Sequence, residues 1–173
     1  GMEGWFSDRV RNAVGNSLEA AQAYEAEHRR DLIVDAEALA AYLNLARQAS
    51  FFMGDGDIRQ VLAQGQSLIQ RGLREAYVID GAGEIRARGE RSYLFDYDRP
   101  PPEAIAAAQA GETVIIPDWD ASEFRALILL DAFVDRYLYV SRDVDGAILA
   151  LLDETKETVR LYYQLEAERG RLL

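Results

Sequence analysis

Arginines and aromatic residues share the strand-like middle of this chain, and together they have the most to offer a ligand. Tyr77, Phe95, Tyr97, Trp119, Tyr137 and Tyr139 supply flat apolar walls, while Arg86, Arg88 and Arg125 supply guanidinium forks suited to a carboxylate. The expected ligand-binding set is therefore Tyr77, Arg86, Phe95, Trp119, Arg125, Tyr137 and Tyr139. Aromatic residues on strands also serve as ordinary core, so a filled interior is the competing expectation.

Other chemistry finds little support. His28 is the single histidine and sits in the charged run Glu27-His28-Arg29-Arg30-Asp31, which reads as a solvated helix surface. With one imidazole and no Gly-x-Ser-x-Gly turn, Ser17, Ser50, Ser67, Ser92, Ser122 and Ser141 lack the activated base a nucleophile needs. Asp118 and Asp120 around Trp119 read as a solvated loop in a chain this rich in acids. Asp55-Gly56-Asp57 and Asp143-Val144-Asp145-Gly146 invite a calcium reading, but an EF-hand starting at Ser141 puts Leu152 where the closing glutamate belongs. Caps and turns account for these aspartates, and neither a metal nor a cofactor is expected.

Composition narrows the partners. The 173 residues suit one domain with a single core. Thirty acidic against 19 basic residues leave a formal charge of -11, which repels nucleic acid and anionic lipid. Lys156 is the sole lysine, and there is no cysteine for a disulfide, thiolate nucleophile or zinc site. No run of about 18 apolar residues is present to span a bilayer. Gly1-Met2 resembles the scar left by tag removal, so natural neighbours are expected on a longer chain.

The positioning elements follow from periodicity. From Trp5 to about Ser50, Phe6, Val10, Val14, Leu18, Ala21, Leu32, Leu39, Leu43 and Ala46 recur at helical spacing, with Ser7 as the expected N-cap. About 40 helical residues extend ~60 Å, more than a compact domain needs, so part of this helix should pack on something else. Phe51 to Asp57 breaks it, and Asp57 is expected to cap a short helix ending near Arg71-Gly72. Residues 76–80 and 84–88 flank Gly81-Ala82-Gly83 as a hairpin. A short helix from Glu103 to Ala110, a strand from Thr113 to Pro117 and a second hairpin over 124–131 and 136–141 follow. Ile148, Leu151, Leu152, Thr155, Val159, Tyr162 and Leu165 then mark a closing helix from Val144 to about Leu173.

Three segments resemble the PDC/Cache branch of PAS-like sensor domains: Tyr77 to Ala87 with its strand, Asp, turn-glycine and strand; Ala106 to Ile115; and Arg125 to Leu130 followed by Tyr137 to Arg142. The flanks Trp5-Phe6-Ser7-Asp8-Arg9-Val10-Arg11 and Leu138-Tyr139-Val140-Ser141-Arg142-Asp143-Val144-Asp145 are similar to the extracytoplasmic region of NtrY-like nitrogen-regulation sensor histidine kinases. The resemblance implies that the terminal helices continue into transmembrane helices of a bacterial inner-membrane protein, with this domain periplasmic and a kinase in the cytoplasm.

The expected architecture is α+β: a PAS/Cache-like antiparallel sheet of about five strands between long N- and C-terminal helices, with residues 5–50, 51–143 and 144–173 as helix, core and signalling helix of one domain. The expected function is signal sensing rather than catalysis, with an unidentified small molecule moving the helices and a homodimer formed through the N-terminal helix, from about Val10 to Leu45. A dimerisation and relay module without a ligand, or a sensor attached to a different output, is the alternative.

Overall fold

The computed structural model describes residues 2–172. The elements run α1 (Met2–Ala49), α2 (Asp55–Ser67), β1 (Glu75–Ile79), β2 (Ile85–Arg88), α3 (Pro102–Gln109), β3 (Val114–Asp118), β4 (Glu123–Leu129), β5 (Tyr137–Asp143) and α4 (Gly146–Leu172), with a 3-10 turn at Ser92–Leu94. The chain forms two compact units, Arg29–Val144 and Gly1–His28 with Asp145–Leu173. The α+β class and the PAS-like sheet of the sequence reading are present.

In the unit Arg29–Val144, five strands lie in the order β2-β1-β5-β4-β3, all neighbours antiparallel. β5 is thus the central strand. Alternation sends Tyr77, Ile79, Leu127, Tyr137 and Tyr139 to one face, where Ala104, Ile105 and Ala108 of α3 cover them. Ala76, Val78, Phe124, Ala126, Leu138 and Val140 turn to the other face and are fully buried there. That face meets α1, whose Leu32, Ala36, Leu39, Ala40 and Leu43 recur at helical spacing and are likewise buried. The Arg29 guanidinium stands 5.9 Å from the Phe124 ring centroid.

α2 packs so closely on α1 that a Cβ on Gly65 would come within 2.6 Å of the Leu39 side chain. The helix starts at Asp55, two residues before the expected cap: Gly54 precedes it, and Asp57 reaches back to accept the Gly54 N–H at 3.1 Å. It ends at Ser67, short of Arg71, where the Ser67 hydroxyl donates to the Gln64 carbonyl at 2.6 Å. Gly72 then turns the chain with φ of 70°.

In the other unit α1 begins at Met2, so Ser7 lies inside the helix and is not its N-cap. The side chains of Ser7, Val10, Val14, Thr155, Val159 and Tyr162 lie outside the described residues. His28 is half-buried with its ring centroid 4.1 Å from that of Tyr24, and so is less solvated than its charged neighbours imply. Asp145 caps α4 by accepting the Ala147 N–H at 2.9 Å, and its own N–H donates to the Tyr24 hydroxyl at 2.8 Å.

Candidate functional site

The face covered by α3 changes character along the strands. Its apolar half ends at Tyr77, Tyr139 and Leu127, which stand side by side on β1, β5 and β4. One step further, the same alternation delivers Glu75, Ser141 and Arg125, which are mutually opposite in register and buried. Glu123, opposite Asp143, follows. Three polar side chains therefore cross the middle of the sheet where a core would ordinarily be apolar.

Arg125 holds this end together. Its Nη2 lies 2.9 Å from Asp98 and its Nη1 3.0 Å from Asp118, and it also pairs with Glu123. Arg74 lies 3.0 Å from Asp143, and its guanidinium stacks 4.2 Å above the Phe95 ring. Between the strands and the segment 94–98 lies a cleft of about 350 Å³, lined by Arg74, Glu75, Phe95, Asp98, Glu123 and Arg125 among others.

Electrostatics in the cleft are unbalanced. Burial works against the charge of Arg125, but Tyr139, Glu123 and Asp118 hold the proton on and raise its pKa above the ordinary arginine value. Burial and then the charge of Glu123 push the Glu75 carboxyl above the ordinary glutamate range, against the pull of Arg125 and Arg74. Three buried polar atoms here make no hydrogen bond: Glu123 Oε2, Arg125 Nε and Ser141 Oγ. The nearest cation to Glu123 Oε2 is Arg74 Nε at 3.5 Å, an ionic contact without hydrogen-bond geometry.

Behind the cleft the face is filled by tyrosine. The ring of Tyr77 lies 5.1 Å from Tyr97 and 6.4 Å from Tyr139, and Tyr97 meets Tyr139 edge-on at 6.2 Å. The Tyr97 hydroxyl donates to the Gly83 carbonyl at 2.6 Å, and that of Tyr77 to the Ser92 carbonyl at 3.2 Å. Ser92 is itself fixed by bonds to both the N–H and the carbonyl of Ala76. Burial pushes the Tyr77 and Tyr97 phenols up to about 12 and lifts Tyr139 further, despite Arg125 beside it.

Of the residues expected at a ligand site, Phe95 and Arg125 line the cleft. Tyr77, Tyr137 and Tyr139 lie in the apolar cluster behind it. Arg86 is elsewhere, on the edge strand β2, where its Nε donates to Asp80 at 3.1 Å. Trp119 stands exposed after β3. Glu75, Glu123, Arg74 and Asp98 were missed. Their signal was present: Glu123 and Arg125 alternate with Phe124 and Ala126, which points charge at a buried face.

The whole chain, residues 1–173, matches the family described as the NtrY N-terminal region. It is 31% identical over 98% of its length to the nitrogen regulation protein NtrY of Azorhizobium caulinodans, of which it spans 22%. It is 27% identical over 96% of its length to a putative sensor histidine kinase, NtrY-like, of Rickettsia felis, of which it spans 27%. A protein of the same name in Rickettsia bellii is 25% identical over 99% of this chain. The chain thus covers about a quarter of the length of the curated relatives it matches. On the strength of a match that runs from end to end, the chain belongs to the NtrY N-terminal region family.

Proposed function

We propose that this chain is the extracytoplasmic input domain of a membrane-embedded sensor histidine kinase and that it passes a signal from the cleft to its terminal helices. In this reading α1 and α4 continue into membrane-spanning helices, two copies associate through α1, and the phosphotransfer chemistry belongs to the part of the protein outside this chain. Among the described residues no helix is long and apolar enough to cross a membrane.

The observation that carries the relay is the position of β5. As central strand it offers Ser141 and Asp143 to the cleft side, while Arg142 between them pairs with Asp35 of α1 at 2.7 Å on the opposite side. The strand ends at Asp143, and α4 begins at Gly146. A shift of β5 at the cleft reaches α1 through the Arg142–Asp35 pair, and α4 follows β5 directly along the chain.

The test uses the full-length protein in membrane vesicles, with cysteines at Asp35→Cys and Arg142→Cys joined by a short thiol cross-linker. The native chain has no cysteine, so the link is specific within it. Autophosphorylation should change when the link is closed and recover on its cleavage; equal activity in both states rejects the relay. Light scattering that finds a strict monomer in the membrane-embedded protein rejects the dimer.

A second reading, a relay module with no small-molecule ligand, is favoured by the packed tyrosines that occupy the middle of the α3 face. The cleft is then a structural ion-pair network, and the signal arrives as a protein contact.

A further inference from the structure

We propose that the cleft binds a small organic cation through a primary ammonium group, held between Glu75 and Glu123. Its physiological meaning rests on the input-domain reading; the binding itself is a property of this chain.

Charge comes first. Glu75, Asp98, Asp118, Glu123 and Asp143 surround Arg74 and Arg125, so among the described residues carboxylates outnumber guanidiniums by five to two at this end of the sheet. Both ends of the Arg125 fork are already taken by acids, so an incoming carboxylate meets no free bidentate partner and a ring of like charge.

Unmade hydrogen bonds come second. Glu123 lines the cleft and is 2% exposed, and its Oε2 accepts no hydrogen bond. An unsatisfied buried acceptor is costly, and an ammonium brings several N–H donors on one point charge, which suits the two carboxylates of Glu75 and Glu123. Among the described residues no three carboxylate or imidazole groups converge as a metal site requires, so a directional N–H donor suits the geometry better than a bare cation.

Size and rim fit an apolar stem. The cleft holds about 350 Å³, against roughly 30 Å³ per water, room for about ten non-hydrogen atoms. Leu94 and Phe95 supply its apolar wall.

The experiment is titration calorimetry and thermal unfolding of the 173-residue chain with n-butylammonium, compared with tetramethylammonium and butyrate at equal ionic strength. The expected result is a saturable 1:1 response to n-butylammonium alone, weakened at least about tenfold in Glu123→Gln, where a charged acceptor is lost. Because Arg125 and Arg74 lean on Glu123, Glu75→Gln serves as the second variant and should weaken binding while keeping both ion pairs. No saturable response, an equal response to tetramethylammonium, or a response unchanged in Glu75→Gln overturns the proposal. A failure here leaves the cross-linking result in the full-length kinase untouched, so the two readings fall separately.

Discussion

Arg142 and Asp35 meet at 2.7 Å across the interface between β5 and α1, with both side chains largely buried. The same guanidinium donates through Nε to the Gly72 carbonyl at 3.0 Å. One side chain thus joins the central strand to the long helix and to the turn after α2. Asp35 has a second partner in Arg71, whose Nε is 3.4 Å away.

Loss of Arg142 removes two charge-assisted bonds and leaves Asp35 with the weaker, more exposed partner. Arg142→Ala is expected to destabilise the fold by about 2–4 kcal/mol, below the full cost of orphaning a buried charge because Arg71 remains. Arg142→Lys should recover only part, since an ammonium does not span both acceptors in one plane. Thermal unfolding with a double-mutant cycle against Asp35→Ala checks the coupling.

Asp80 organises the β1–β2 turn. Its Oδ1 accepts the N–H groups of Ala82 and Glu84, both at 3.0 Å, and Oδ2 accepts from Arg86 Nε at 3.1 Å. Burial alone would raise its pKa, but the bonds from Glu84, Ala82 and Arg86 outweigh it and hold the carboxyl below its ordinary value. A depressed folded-state pKa means stability that is present above the ordinary carboxylate pKa and lost as pH falls through the lower folded value. Asp80→Ala should cost about 1–3 kcal/mol at pH 7. The difference between it and the native chain should shrink on acid titration followed by circular dichroism.

Glu75 has the opposite sign. Its pKa is raised by burial and by Glu123, so its favourable contribution exists at low pH and disappears as pH rises through the folded value. Glu75→Gln should therefore raise the melting temperature at pH 7.5 in ammonium-free buffer and change it little near pH 4. A lower melting temperature at pH 7.5 would show that the carboxylate is a net stabiliser.

Gly65 sits where α2 presses on α1. A helical alanine normally gains about 1 kcal/mol over glycine. Here its Cβ would meet Leu39 Cδ1 at 2.6 Å and Tyr42 Cδ1 at 2.8 Å, and Leu39 is fully buried with nowhere to retreat. Overpacking costs about 1–3 kcal/mol and should prevail, so Gly65→Ala is expected to lower the midpoint of urea unfolding.

Local signals were legible because they need only neighbours in sequence. The helical recurrence of Leu32, Leu39 and Leu43 marked α1, the Asp80 to Gly83 turn marked the first hairpin, and the alternating Tyr137 and Tyr139 marked β5. Helix ends were less legible. Asp57 has the chemistry of a cap, but Gly54 leaves room for the helix to start earlier, and Asp57 bonds backwards instead.

Arg125 and Phe95 were within reach of sequence reasoning because an arginine and an aromatic ring announce binding chemistry by themselves. Their companions were not. Glu75, Arg125 and Ser141 lie far apart along the chain, and only the pairing of β1 with β5 and of β5 with β4 sets them in one buried row. A slip of one residue in either pairing would turn Ser141 away and bring Arg142 to the cleft. Tertiary packing decides the register, because it buries Val140 and Leu138 on the α1 side and Tyr139 and Tyr137 on the α3 side. Residue types and their periods thus determined the helices, the strands and the kind of fold, while the burial of two faces at once decided which charges meet.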